Sequence, residues 1–292
     1  MFLLAHISDI HLAPLPPPRF AELISKRGLG YINWLRKRRA IHRREVLDAL
    51  IADLKAQRPD HIAVTGDLVN LALSNEFAPG RAWLEGLGAA SDTTFVPGNH
   101  DAYVRPIAEQ ATAEWGDYMR GDGGETFPFV RRRGHAALIG ISTAVPTLPL
   151  SATGQIGAAQ LDRLGVVLAA LAKENVFRVV LLHHPPISGV NRFRHLSDAP
   201  ALRDVLRKHG ADLVLHGHLH ESSLIWLAGP RDNIPCAGAP SASGSLGSHD
   251  EPAGYNLFEI GGEPGAWQCT AIMRSLDRED GTIREMGRQL LL

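Results

Sequence analysis

The chain has 292 residues, a formal net charge of -1 and an apolar content of 45%, values that are ordinary for a soluble globular protein. A charge this close to zero gives no overall attraction to nucleic acid or to an anionic membrane, so any such affinity must come from a local patch. No segment approaches the roughly 20 apolar residues that a bilayer-spanning helix needs. The exception in the composition is histidine, because most of the 14 histidines stand in short clusters beside Gly, Asp or Pro.

The cysteines and the first residues indicate the compartment. Cys236 and Cys269 cannot form a disulfide framework and lie in no Cys-x-x-Cys spacing, so we expect both to be reduced core residues. Only Phe2 to Ala5 precede His6, without the basic lead and long apolar stretch of a signal peptide. These features predict a cytoplasmic location.

Short runs rich in Val, Ile and Leu recur along the chain and predict strands that are buried on both faces. They occupy residues 2–9, 61–67, 93–101, 136–143, 177–186 and 211–220. Helical spacing lies between them, at roughly 39–57, 74–89, 104–120, 157–175 and 198–209. The alternation of strand and helix predicts α/β layers in which helices cover the faces of sheets.

The pattern changes after about residue 224, where strands and turns follow one another. Residues 254–260 and 267–276 predict a late strand pair. Gly, Ser and Pro concentrate at 238–254, which predicts a long loop, and a mobile surface loop is favoured there over a lid. Because no repeat or low-complexity linker divides the chain, residues 1–292 are interpreted as a single domain.

Polar side chains with metal-ligand chemistry follow five of the predicted strands, at the ends where open α/β sheets place their ligand crevices. The candidates are Asp9, His11, Asp67, Asn99, His100, His183, His218 and His220. Alternation along an extended strand would put Asp9 and His11 on the same side, and it would do the same for His218 and His220. Each pair could then close on one centre.

The residue types indicate which ions would bind. Carboxylate, imidazole and amide donors suit borderline divalent ions such as Mn, Fe, Zn or Ni, and the lack of thiolates argues against a structural zinc site. Gly66, Gly98 and Gly217 precede candidate ligands, where a tight backbone lets an ion or a phosphate approach. Taken singly, Asp67 could be a helix N-cap and Asn99 a turn residue. Seven donors are too many for one catalytic ion with an open position, so two ions sharing a carboxylate are the simpler account.

The blocks DIH, GDLVN, GNHD, HHPP and GHLH occur in this order between residues 9 and 220, and as a set they resemble the signature of the calcineurin-like metallophosphoesterase superfamily. The resemblance implies a four-layer α/β/β/α sandwich with two mixed β-sheets flanked by helices. It also implies two divalent metal ions, with one held by Asp9, His11 and His220, the other by Asn99, His183 and His218, and Asp67 bridging the two.

The resemblance implies a reaction as well. Ions about 3.5–4 Å apart would lower the pKa of a shared water towards 7, and the hydroxide would attack phosphorus in line with the leaving oxygen. His100 would stabilise the developing charge or protonate the leaving group. The serine/threonine phosphatase branch has an Asp where this chain has Asn70, which can orient an imidazole but cannot stabilise imidazolium by charge. The bacterial phosphodiesterase and phosphohydrolase branch is closer, so we expect a small phosphodiester substrate, either a cyclic nucleotide or a glycerophosphodiester.

Other histidines and arginines have roles beside the metal ligands. His184 is interpreted as a neighbour of the ligand His183, and His6 and His216 as structural residues. The segment that follows HHPP contains three residues that could contact substrate phosphate or could be ordinary surface charges, namely Arg192, Arg194 and His195. Residues 131–133, three consecutive arginines, are predicted to form a solvated turn of a hairpin away from the ligand blocks.

An insert at about 14–45 separates the first two blocks and carries nine Arg and Lys residues against Glu22 and Glu45. One interpretation is a helical cap whose aromatic side chains pack on the body while Arg and Lys stay solvated. The other is a surface for a polyanion or a lipid headgroup, with peripheral membrane contact through residues 19–44. That contact would be lost when Trp34 and Leu35 become polar.

Three other functions remain open at this point. The first is a hydrolase of a lipid-linked phosphate or pyrophosphate at the membrane surface. The second is a DNA nuclease, which the near-zero charge and the absence of a long basic stripe disfavour. The third is a scaffold that has lost its metals, which the presence of all seven expected ligands disfavours. The sequence does not indicate the oligomeric state.

Overall fold

A computed structural model describes residues 1–104, 111, 113–247 and 251–292. The strands are β1 Phe2–Ile7, β2 His61–Val64, β3 Thr93–Phe95, β4 Phe129–Arg133, β5 Ala136–Gly140, β6 Phe177–Leu181, β7 Leu213–His216, β8 Ser223–Leu227, β9 Ile234–Gly238, β10 Gly254–Glu263, β11 Ala266–Leu276 and β12 Ile283–Leu290. The helices are α1 Phe20–Leu23, α2 Lys26–Asn33, α3 Arg39–Ile41, α4 Arg44–Ala56, α5 Phe77–Leu87, α6 Ala158–Leu171 and α7 Ala199–His209, with a π-helical turn at Trp34–Arg38 and a 3-10 turn at Gly116–Tyr118. The predicted helix at 104–120 lies partly outside the described residues.

The strands form two mixed sheets of six strands each. The first has the order β12-β11-β10-β1-β2-β3, with β1, β2 and β3 parallel and β10 antiparallel to β1. The second has the order β4-β5-β6-β7-β9-β8, with a parallel centre and antiparallel strands at both edges. Strands β1, β2, β3, β6 and β7 are those that precede the candidate ligands.

Alternation along β6 shows how the sheets pack. Val179 and Leu181 belong to the core that the two sheets share, whereas Val180 and Leu182 point to the opposite face, into the core beneath α6 and α7. On the other side of the molecule, Leu50 and neighbouring apolar residues of α4 pack against the first sheet. The four-layer α/β/β/α sandwich with two mixed sheets is therefore confirmed.

The C-terminal region contains more strands than its sequence pattern indicates. The late pair is confirmed, since β10 and β11 run antiparallel with Gly254 opposite Ser275. Strand β12 escaped prediction because most of its side chains are polar and exposed, so it carries no alternating hydrophobic signal. It pairs antiparallel with β11 at the edge of the sheet, with Thr270 opposite Leu290.

Two expectations about exposed segments are wrong. The first residue of the arginine run, Arg131, is buried, and its guanidinium donates to backbone carbonyls that include those of Thr93 and Arg120. It therefore holds the β4–β5 hairpin against the body instead of facing water. Residues 239–244 of the expected mobile loop are also buried, and Ala242 N–H donates to the Ser8 carbonyl beside β1. Residues 248–250 of that loop lie outside the described part.

Cys236 and Cys269 are buried and free, one in each sheet, as expected for core residues. Burial raises the pKa of both thiols, that of Cys269 to about 12, so both are thiols near neutral pH. Among the described residues, every helix is too short or too polar to span a bilayer.

Candidate metal centre

The candidate ligands lie in loops at the carboxyl ends of strands from both sheets. Asp9 and His11 follow β1, Asp67 follows β2 and Asn99 follows β3, all in the first sheet. The remaining three, which are His183, His218 and His220, follow β6 and β7 in the second sheet. Because the two sheets pack face to face, these loops meet at one end of the sandwich.

Four ligand atoms converge at the side of the second sheet. His183 Nδ1 donates to the Thr65 carbonyl at 2.6 Å, so Nε2 faces inward, 3.2 Å from Asn99 Oδ1 and 3.4 Å from Asp67 Oδ2. His218 Nε2 donates to the Arg194 carbonyl at 2.8 Å, so its Nδ1 faces His183 Nε2 at 3.3 Å. The outer hydrogen bonds fix each imidazole with its ligand nitrogen turned towards the same point.

A second group of atoms converges beside the first sheet. His220 Nε2 lies 3.1 Å from Asp9 Oδ1 and 3.3 Å from His11 Nε2. His11 Nε2 also lies 3.8 Å from Asp67 Oδ2. The same Asp67 oxygen therefore stands between the two groups, which is the position of a bridging carboxylate.

This donor set fits divalent cations. Asp9 Oδ1 is buried, and no described residue gives it a hydrogen bond of normal geometry. Two carboxylates and several imidazole nitrogens face one another at short distances, where their lone pairs repel one another. A cation between them removes that repulsion. The described residues include three groups of His and Asp whose ligand atoms lie within 4.8 Å of one another, two of which contain His11.

The charges of the site respond to this crowding. Burial alone raises the pKa of Asp9 and Asp67, but neighbouring histidines outweigh burial and lower the pKa of Asp67 to about 2 and that of Asp9 well below its usual range. Burial lowers the pKa of His183, yet Asp67 reverses the effect and raises it to about 9. The buried carboxylates thus attract positive charge, which a proton supplies when no metal ion does.

The backbone that presents the ligands is unusual. Left-handed φ angles occur at five ligands, with values of 53° at Asp9, 42° at His11, 54° at Asp67, 74° at His218 and 59° at His220. Asp and His tolerate this region better than most residues, but each instance costs on the order of 1 kcal/mol. The expectation that strand alternation aligns the pairs is wrong, because β1 ends at Ile7 and β7 at His216. The loops themselves, curled through left-handed residues, bring each pair onto one centre.

Glycines permit this close packing of loops. A Cβ on Gly98 would lie 2.6 Å from the Asp67 backbone nitrogen, and one on Gly66 would lie 2.6 Å from the Gly98 nitrogen. A Cβ on Gly217 would lie 2.5 Å from Asp9 Oδ2. These glycines therefore allow loop to approach loop, rather than an ion to approach the backbone as the sequence suggested.

Asp101 holds two of the ligand loops together. Its carboxylate accepts N–H groups from Asp67 at 2.8 Å, Leu68 at 2.9 Å and Gly98 at 2.8 Å. This residue was not singled out in the sequence, although it is the last letter of the GNHD block. Its role depends on contacts across 30 or more positions of the chain, which the local pattern does not show.

His100 is fixed by backbone contacts. Its Nδ1 donates to the carbonyl oxygen of Asn70, and its own N–H donates to Asp67 Oδ1 at 2.8 Å. The expectation that the Asn70 side chain orients this imidazole is wrong, since the amide nitrogen of Asn70 donates instead to the Leu12 carbonyl. Burial and the nearby Arg38 lower the pKa of His100 to about 3, so the imidazole is neutral near pH 7.

Arg38 is the functional candidate that the sequence did not reveal. It ends the π-helical turn of the insert, and its guanidinium nitrogens lie 2.7 Å from His11 Nε2 and 2.8 Å from His100 Nε2. The insert contains nine Arg and Lys residues, and no local sequence pattern distinguishes Arg38 from the other eight. Its position follows from Trp34, which is buried against Leu15 and thereby fixes the turn.

Two further histidines lie beside the ligands. His42, at the end of the insert, was not predicted; its ring centre lies 4.4 Å from that of His11, and its Nδ1 lies 2.9 Å from Ser243 Oγ. His184 occupies the neighbouring position expected for it, with Nδ1 at 2.8 Å from Thr143 Oγ1 and Nε2 donating to the Ala152 carbonyl. Both nitrogens of His184 are therefore engaged outside the two ligand groups.

The ligands open into a pocket of about 430 Å³. Its wall includes Lys26, Lys37 and Arg38 from the insert and Arg194 from the loop after HHPP. The other two residues proposed for substrate contact do not line it. Arg192 stacks on the ring of the adjacent Phe193, and His195 Nδ1 donates to the Arg192 carbonyl. The pocket wall is strongly cationic outside the ligand groups.

The four-layer sandwich, with histidines and carboxylates gathered at the carboxyl ends of its strands, defines a metallophosphoesterase type of hydrolase. The chain belongs to the calcineurin-like phosphoesterase family, whose model matches residues 2–222. Enzymes of this family use a dinuclear centre of divalent metal ions, and the His and Asp groups described above could hold such ions.

Two bacterial proteins are similar in sequence. A probable cyclic nucleotide phosphodiesterase of Rhodococcus erythropolis is 29% identical over 238 residues, which cover 78% of this chain and 70% of that protein. A probable cyclic nucleotide phosphodiesterase of a Synechococcus species is 27% identical over 225 residues, covering 75% of this chain and 79% of that protein.

Solved structures share the fold. A dimetal phosphatase from Danio rerio superimposes with a TM-score of 0.60 at 14% identity and 98% coverage of both chains. A purple acid phosphatase from yellow lupin gives a TM-score of 0.58 at 12% identity, covering 97% of this chain and 52% of that one. At such identities the likeness describes the architecture alone.

Proposed function

We propose that this chain is a phosphodiesterase that hydrolyses a small organic phosphodiester with the help of two divalent metal ions. The proposed ligand sets are Asp9, His11 and His220 for one ion and Asn99, His183 and His218 for the other, with Asp67 shared. The observation that carries the proposal is the position of Asp67 Oδ2, which lies 3.8 Å from His11 Nε2 in one group and 3.4 Å from His183 Nε2 in the other. Mn or Fe suits this mixture of donors.

When bound, the two ions would supply Lewis-acid charge and a water of lowered pKa. The chain's own residues determine how a phosphate is held beside them. Arg38 offers a planar fork of donors that matches two phosphate oxygens, and it already lies between His11 and His100. We therefore assign Arg38 to the binding of substrate phosphate.

His100 then has a different task from the one that its position in the family pattern suggests. A neutral imidazole whose Nδ1–H donates to a carbonyl presents Nε2 as an acceptor. Such a group positions Arg38 through the contact of 2.8 Å, whereas protonation of the leaving group would require an imidazolium. The positive charge near the leaving oxygen is thus assigned to Arg38.

Preference for a diester is supported by the names of the two bacterial relatives, both probable cyclic nucleotide phosphodiesterases. A cyclic nucleotide is accordingly the first substrate to test, followed by a glycerophosphodiester. The cytoplasmic location predicted from the sequence stays a prediction.

The test compares bis-p-nitrophenyl phosphate with p-nitrophenyl phosphate, using enzyme that has been stripped with a chelator and reloaded with Mn. We expect the diester to be hydrolysed faster, and the Asp67→Ala variant to lose more than about 100-fold in rate together with its bound Mn, because both ions share this ligand. A faster monoester reaction would exclude the phosphodiesterase. Equal rates in wild type and variant would exclude the metal centre itself.

A second candidate is hydrolysis of a lipid-linked phosphate or pyrophosphate. Leu29 and Leu150 favour it, because both line the pocket and yet are 53% and 88% exposed. An acyl chain or another apolar group attached to the phosphate could contact them. A phosphodiester presented in detergent micelles would then be hydrolysed faster than its water-soluble analogue, and the opposite order would remove this candidate.

A further inference from the structure

Exposed apolar side chains concentrate in the insert at about 14–45. The large ones are Phe20 at 82%, Ile24 at 73%, Leu29 at 53%, Ile32 at 47% and Leu35 at 47% exposure. Soluble chains rarely gather so many such side chains in one short segment, and a concentration of this kind marks an interaction surface.

The packing of the insert fixes which side faces outward. Arg27 is buried and donates to the Leu71 carbonyl, and Trp34 is buried against Leu15, so these two residues hold the inner side on the body. The outward row therefore consists of residues three apart, Leu29, Ile32 and Leu35. Because the inner side already makes these contacts, the outward row cannot be buried by a rotation of the helix.

The outward row adjoins a second exposed apolar segment. Lys26 Nζ donates to the Thr147 carbonyl at 3.2 Å and contacts its hydroxyl at 3.1 Å, which ties the insert to the loop that contains Leu148 and Leu150. These leucines are 79% and 88% exposed. We name the outward row together with Leu148 and Leu150 the apolar rim; it borders the mouth of the pocket, which Leu29 and Leu150 line.

Positive charge lies next to the outward row of the apolar rim. Arg36 and Arg39 follow Ile32 and Leu35 by four residues each, and Lys37 lies between them. In the described part of the chain, no acid lies within ion-pair distance of these three cations. The two acids of the insert are engaged elsewhere, Glu45 by Arg43 and Glu22 by Ser74.

We propose that the apolar rim and these three cations dock the chain on an anionic lipid bilayer, with the mouth of the pocket facing the membrane. Leucine and isoleucine tips enter the boundary between headgroups and acyl chains, while the arginines and the lysine contact anionic headgroups. The charge of the surface is what favours a bilayer over a second copy of this chain, because two copies would bring like charges together. The docking does not depend on the reaction proposed above.

The structure determines which residues are suitable for a test of membrane docking. Trp34 is unsuitable for substitution, since it is buried and its loss would disturb the insert. The informative variants are Ile32→Ser/Leu35→Ser and Arg36→Gln/Arg39→Gln, and Val166→Ser on α6 is the control, because Val166 is 71% exposed but lies outside the insert. Binding is measured by sedimentation with vesicles of phosphatidylglycerol and phosphatidylcholine, and with vesicles of phosphatidylcholine alone.

We expect the wild-type chain and Val166→Ser to sediment with the anionic vesicles and not with the neutral ones. The arginine variant should lower the partition coefficient roughly 30-fold, since each cation near an anionic surface contributes about a factor of five. The apolar variant should lower it at least about tenfold. Thermal melting curves and circular dichroism spectra that match those of the wild type confirm that both variants are folded.

Two results would overturn the proposal. One is a wild-type chain that stays in solution with anionic vesicles at low salt. The other is an apolar rim that mediates self-association instead, seen as a wild-type oligomer that becomes monomeric in Ile32→Ser/Leu35→Ser while no form of the chain binds vesicles.

Discussion

Replacement of Arg38 by Ala tests the most specific part of the proposed reaction. The substitution removes a guanidinium that lies 2.7 Å from His11 Nε2 and 2.8 Å from His100 Nε2, at the wall of the pocket. The side chain does not support the core, because it ends a helical turn whose position Trp34 fixes. The variant should therefore fold and should lose the contact with substrate phosphate.

The size of the loss follows from the chemistry of the contact. A hydrogen bond to a charged group contributes about 1.5–3 kcal/mol, which corresponds to a loss of about 10- to 150-fold in kcat/KM if one such bond to phosphate is lost. Arg38→Lys keeps the charge but not the planar fork, so its loss should be smaller than that of Arg38→Ala. Because the charge of Arg38 opposes a cation at the nearby His11, its removal should leave the bound Mn undiminished.

The assay measures kcat/KM for bis-p-nitrophenyl phosphate and the Mn content of the same samples. Arg43→Ala is the matched control, since Arg43 is half-exposed at the end of the insert and its ion pair with Glu45 lies in solvent. It should retain the wild-type rate. Wild-type kcat/KM in Arg38→Ala with full Mn occupancy would refute the assignment, and a fall in Mn content would show that Arg38 supports the metal centre instead of the substrate.

Two predictions concern the packing and stability of the fold. Gly98→Ala should lower the free energy of unfolding by about 1–3 kcal/mol and reduce Mn binding, because the added Cβ would lie 2.6 Å from the Asp67 nitrogen. Thermal melting and metal content check this prediction. The control is Gly86→Ala, which should be neutral or stabilising because nothing lies within 4 Å of the added Cβ. Burial lowers the pKa of His61 from 6.5 to about 3, so between these pH values the unfolded chain binds a proton that the folded chain does not bind. The stability that this adds is complete above pH 6.5 and is lost as the pH falls towards 3, by about 1.4 kcal/mol at pH 5.5. Other buried histidines with lowered pKa values, such as His100, lose stability over the same range in both proteins, so urea unfolding at pH 8 and pH 5.5 should show a loss that is about 1.4 kcal/mol smaller in His61→Asn than in wild type. An equal pH dependence in both would contradict the prediction.

Much of the fold could be predicted because its signals are local. The strands β1, β2, β3, β5, β6 and β7 are short apolar runs, and helices such as α4 bury residues at helical spacing, so composition and periodicity identify both. The edge strand β12 was missed for the converse reason. The side chains of β12 are mostly exposed, and its pairing with β11 through the backbone leaves no trace in the residue pattern.

For the candidate site, the sequence determined the types of donor and their order along the chain, since Asp, Asn and His ligands must be encoded where they stand. It did not determine how they meet. The pairs close through left-handed residues such as His11 and His220, not through strand alternation, and Asp101 joins loops that are more than 30 residues apart in the chain.

Tertiary structure alone decided which members of a uniform group are special. Arg38 and Arg131 stand among many arginines, yet one reaches the ligand histidines and the other is buried on backbone carbonyls. His42 lies beside the ligand His11, and its ring nitrogen contacts Ser243, some 200 residues further along the chain. A charged side chain looks the same in sequence whether it faces water or the interior, because its environment is set by distant segments that the fold brings to it.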